Sequence, residues 1–117
     1  MELLLYEREY RESDIIHNFM NFYYAIKMKH LASDLLDKGL TPDQIRNAFA
    51  KAIRVANASG IQVKKHFMPV YSGIDKEIIQ DCKLSHLGYG LVLMNADPGL
   101  SVVGAFQLDV LKEYLNG

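Results

Sequence analysis

The helical spacing of apolar residues that organises most of this chain fails between about Gln62 and Lys83, and no other feature constrains the fold as tightly. Within that window Val63, Phe67, Val70 and Tyr71 form a β-leaning segment. Ser72-Gly73-Ile74-Asp75 then supplies turn chemistry, and Ile78, Ile79 and Cys82 read as a return strand. The expectation is one antiparallel hairpin with Gly73 at its turn.

On both sides of this window the period is helical. Ser13-Asp14 reads as an N-cap, and Ile15, Ile16, Phe19, Phe22, Tyr23, Ile26, Leu31, Leu35 and Leu36 recur at three- and four-residue intervals. They predict one long helix, or two with a break near Lys27 to His30, stopped by Gly39. Thr41-Pro42 offers an N-cap with proline at the first helical position, and Ile45, Phe49, Ala52, Ile53 and Ala56 predict the buried face of a helix ending at Gly60. After the hairpin, Leu84 to Met94 reads as a glycine-containing apolar helix with Ser85 as its cap. Asp97-Pro98-Gly99 breaks the chain before a final helix carrying Val102, Val103, Phe106, Val110, Leu111 and Leu115. The predicted fold class is α+β: a mostly helical single domain over residues 1–117, ordered helix-helix-hairpin-helix-helix.

A chain of 117 residues, half of them hydrophobic, supports one real core rather than disorder. With 13 basic and 14 acidic residues the net charge is −1, so contact with a polyanion must rest on a local patch. The apolar start Met1 to Tyr6 is too short for a signal sequence and lacks a basic lead, and no apolar run approaches the ~18 residues that suggest a membrane span. The expectation is a soluble, cytoplasmic protein. Cys82 is the sole cysteine, which excludes an internal disulfide, and reads as a small buried strand residue.

Leu31 to Ala58 has the outline of a helix-turn-helix. On its second helix Arg46, Asn47, Lys51 and Arg54 fall away from Phe49 and Ile53, Lys64 and Lys65 follow nearby, and the hairpin is placed to act as a wing. Such side chains contact phosphates and base edges, and they equally make the solvated face of an amphipathic helix. Asp75, Glu77 and Asp81 with His66 offer carboxylates and an imidazole for a divalent cation, but edge-strand charges explain them more simply. Cys82 and His86 lack a third orienting group, so no catalytic residue, metal or cofactor is assigned. The tyrosines Tyr6, Tyr10, Tyr23, Tyr24, Tyr71, Tyr89 and Tyr114 are scattered and read as packing residues. Leu3-Leu4-Leu5-Tyr6 and the apolar face of the last helix suggest a homodimer.

A set of residues that no period requires runs through the middle of the chain at fixed distances. Phe49, Ile53, Ala56, Ser59-Gly60, His66-Phe67 and Val70 come first, then Asp81, Leu84-Ser85-His86-Leu87-Gly88, Asn95-Ala96-Asp97-Pro98 and Gln107. In these, from about Lys29 to Gln107, the chain resembles the N-terminal half of the damage-inducible protein D family, bacterial proteins of the DNA-damage response related to BRO-type phage antirepressor domains. The resemblance implies a BRO-N-like fold and an SOS-like, non-enzymatic regulatory role exerted through DNA or a DNA-bound protein. It also implies that His66 and Gln107 are core or network residues. The chain departs from the family pattern in having His86 where an arginine follows Leu-Ser, in lacking tryptophan, and in ending at Gly117 before the family's C-terminal half. A protein-interaction module without DNA binding is the second reading, and an enzyme of unknown type a remote third.

Overall fold

A computed structural model describes residues 12–74 and 76–117. Helix α1 (Glu12–Lys27) leads into a two-residue strand β1 (His30–Leu31), a one-turn helix α2 (Asp34–Asp37) and helix α3 (Pro42–Ala58). A 3-10 turn (Val63–Lys65) precedes strands β2 (Phe67–Ile74) and β3 (Glu77–Leu84), then helices α4 (His86–Met94) and α5 (Ser101–Asn116). The mixed class predicted from the sequence is what forms.

The hairpin lies in the expected window but is built differently at its tip. Phe67 pairs with Leu84 and Ile74 with Glu77, so the antiparallel ladder runs through Gly73, which faces Ile78 inside it. The chain reverses between Ile74 and Glu77, where Lys76 adopts φ 68°. That left-handed conformation costs a non-glycine residue about 1–2 kcal/mol. A two-residue reversal in a right-twisted ribbon demands positive φ, so the tip is fixed by the ladder rather than by glycine. Val63 belongs to the 3-10 turn, not to the strand.

β1 is absent from the sequence reading. The apolar period runs on from Ile26 to Leu31, but the helix stops at Lys27 and His30–Leu31 pairs antiparallel with Leu84 and Lys83, giving the sheet order β1-β3-β2. The Ala32 N–H continues the pairing by donating to the Cys82 carbonyl at 2.9 Å. Ser13 lies inside α1 and is therefore not its cap.

α3 is the best-defined helix. Thr41 Oγ1 accepts from the Gln44 N–H, Gln44 Oε1 accepts from the Thr41 N–H, and Pro42 takes the first turn, which completes a capping box. Gly60, at φ 76°, turns the chain out of the helix. The buried line is Ile45, Ala48, Ala52 and Ala56, whose small side chains let α4 approach. Phe49 and Ile53, expected on that line, flank it half-buried, with Phe49 edge-on to Phe67 at 5.3 Å between ring centres. Leu35, Leu84, Val92 and Val103 fill the centre of the core and are fully buried.

Two helices project from this body. Ile15, Ile16, Phe19, Phe22, Tyr23 and Ile26 of α1 and, in the second half of α5, Leu108, Leu111 and Leu115 are exposed. The radius of gyration, 17.2 Å, accordingly exceeds the ~13 Å of a compact domain of this length. Among the described residues no helix is long and apolar enough to cross a membrane.

Because Leu84 has no exposed surface and Phe49 retains some, Leu84→Ala is expected to cost about 2–5 kcal/mol in urea unfolding and Phe49→Ala less. The reverse order would remove this assignment of the core.

Candidate functional site

Residues of the set that no period requires act on the backbone. His66 Nδ1 and Ser85 Oγ share a hydrogen bond of 2.6 Å, Ser85 Oγ accepts from the Gly88 N–H at 3.0 Å as the cap of α4, and the Ser85 N–H donates to the His66 carbonyl. A Cβ on Gly88 would stand 2.5 Å from that same carbonyl oxygen. Asp81 accepts from the N–H and hydroxyl of Ser33 and from the Cys82 N–H, tying β3 to the segment after β1. Gln107, on α5, donates its Nε2 to the carbonyls of Leu93, Met94 and Ala96 at 3.1–3.4 Å, around the end of α4. Asn95 donates to the Leu91 carbonyl, and Asp97 accepts from the Gly99 N–H before the chain enters α5. Ser59 is the C-cap of α3, and Phe67 and Leu84 are buried.

The predicted contact residues divide around α3. All of Arg46, Asn47, Lys51 and Arg54 are exposed. At about 100° per residue, Asn47, Lys51 and Arg54 fall within roughly 60° of arc, whereas Arg46 lies roughly 80° or more away. Arg46 is held by Asp43 at 2.7 Å and borders an apolar cleft of about 760 Å³ lined by Leu36, Ile45, Phe49, Pro69 and Cys82. On the other flank Asn47 and Lys51 join Gln44 in a smaller polar cleft of about 310 Å³, closed by Asn95, Asp97 and Pro98. Lys51 and Arg54 have no ion-pair partner among the described residues. Lys64 and Lys65 are exposed on the 3-10 turn beside α1, where the Lys65 ammonium stands 5.7 Å from the Tyr24 ring. The fold thus brings Asn47 and Lys51 together with Asn95, Asp97 and Pro98, and sets Arg46 apart.

The chain matches no family model, curated protein or solved structure.

The sequence reading missed a cluster around His30. Its Nε2 lies 2.8 Å from His86 Nδ1 in a shared hydrogen bond, and its ring stacks on Tyr89 at 4.2 Å. The two histidines are 56 residues apart, and nothing in their local patterns links them. This contact engages His86. Burial pushes the Cys82 thiol up to about 11, which favours the protonated sulfur at neutral pH. Of the carboxylates considered with His66 as cation ligands, Asp75 lies outside the described residues and Asp81 is engaged with Ser33. Among the described residues no three His, Cys, Asp or Glu side chains are placed to hold a metal ion.

Two histidines make stability depend on pH. Burial, and then the neighbouring charge of His86, lowers the pKa of His30; burial, and then Lys65, lowers that of His66. Asp34 opposes the shift at His30. The fold therefore binds fewer protons than the unfolded chain just below the ordinary value of 6.5. Their contribution to stability is complete above that value and is lost as pH falls from it through the folded pKa. The urea midpoint is expected to drop between about pH 7.5 and about pH 5.5, still above the ordinary carboxylate range, and His30→Gln/His66→Gln should flatten that drop. An equal drop in the double variant would place the titrating groups elsewhere.

Proposed function

We propose that this chain is a non-enzymatic regulatory domain of the DNA-damage-response or mobile-element kind, working in the cytoplasm as a homodimer through DNA or a DNA-bound protein. The observation that carries this reading is the exposed flank of α3. Asn47, Lys51 and Arg54 stand together on a helix pinned by its capping box and by its packing on α4, and the two cations form no ion pair among the described residues, although Asp97 shares the cleft of Lys51. A rigid helix with an amide and two free cations suits phosphate and base-edge contact. The resemblance to damage-inducible protein D and BRO-type domains supports the same role. A one-turn α2 before Gly39 and the longer α3 keep only the outline of a helix-turn-helix, so docking would rest on α3.

A protein-interaction module is favoured by a different observation. The cleft on the Arg46 side of α3 is predominantly apolar and open, a surface for a partner side chain rather than for a phosphate.

Titration of duplex and single-stranded DNA at several salt concentrations separates the two. For a DNA-binding flank, affinity falls steeply with salt, and Lys51→Ala/Arg54→Ala reduces the log–log slope by about two units, near one per phosphate contact. Arg46→Ala, on the far side and already paired, leaves the slope unchanged. Absence of binding to either form of DNA at about 20 mM salt would discard the DNA reading in favour of the interaction module.

A further inference from the structure

We infer that α1 is a self-association helix that packs antiparallel against α1 of a second copy of this chain. The inference needs no nucleic acid and stands apart from the reading of α3.

α1 turns its weaker face inward. Met20, Asn21, Tyr24 and Ala25 are partly covered on the side that meets the 3-10 turn, where Lys65 approaches Tyr24. On the opposite side Ile15, Phe19, Phe22 and Ile26 are 58%, 62%, 64% and 56% exposed. An amphipathic helix serving its own core would present the reverse arrangement. The four residues follow at spacings of four, three and four, the seam of a two-stranded coiled coil.

The seam identifies its occupant by its symmetry. Read from either end it is Ile-Phe-Phe-Ile about a midpoint between Met20 and Asn21. A two-fold axis through that midpoint sets each Ile15 against the partner's Ile26 and each Phe19 against the partner's Phe22. Such self-complementarity is what an isologous interface requires. Antiparallel pairing also opposes the two helix dipoles, whereas parallel pairing would set like ends together.

Sedimentation equilibrium of the full chain up to about 100 µM, near the upper end of the micromolar affinities that a small interface supports, is the first measurement. The expected mass is twice 13.3 kDa. Phe19→Glu/Phe22→Glu should give the monomer with an unchanged circular dichroism spectrum, because neither ring supports the core. For orientation, Ile15→Cys and Ile26→Cys chains mixed under mild oxidation should form the mixed disulfide in several-fold excess over either self-linked product, with the buried native Cys82 silent. A monomer throughout the range overturns the inference. A dimer that survives Phe19→Glu/Phe22→Glu overturns it as well, as does Ile15→Cys linking mainly to itself.

Discussion

The carbonyl of His66 occupies the space a side chain on residue 88 would need, and the rest of the molecule is arranged around that approach. The carbonyl accepts from the Ser85 N–H while the His66 ring holds the Ser85 hydroxyl, so the mouth of the hairpin and the first turn of α4 are joined at one point. Since Phe67 and Leu84 pair at that mouth, the angle at which α4 leaves the sheet is set there. α4 then lies on the alanine line of α3, and Gln107 clamps its far end from α5. Overpacking at such a contact typically costs about 1–3 kcal/mol, and here a backbone oxygen, not a flexible side chain, would have to give way.

Structural duty is unevenly shared along the chain. Asp81, His66, Ser85, Asn95, Asp97 and Gln107 spend their polar atoms on the backbone or on one another, which holds the elements in place. The side chains of Asn47, Lys51 and Arg54 on α3 have no such duty among the described residues. A surface of this kind can change without a change of fold, because no core contact depends on it.

What the sequence made legible follows from the range of the interaction involved. The capping box at Thr41, the Ser85 cap and the left-handed exit at Gly60 are local, and each can be read within a few residues. β1 was hidden because a two-residue strand has no period of its own and exists only through its pairing with Leu84 and Lys83. The displacement of Phe49 to the flank has a similar cause: Ala48 lets α4 come close, and that neighbour decides which arc of α3 is covered. Among the candidate contact residues, exposure was legible from helical spacing. The separation of Arg46 from Lys51 by two different clefts was not, since the walls of those clefts come from β2, β3 and the α4–α5 connection.

The placement of Cys82 gives the molecule a built-in reporter. The thiolate is the form that reacts, and burial pushes this thiol up to about 11, so its reaction is slow at neutral pH. What surface the residue keeps lines the open apolar cleft beside Phe49 and Pro69. The rate at which this chain takes up an alkylating reagent therefore falls when something occupies that cleft, without any probe having been added.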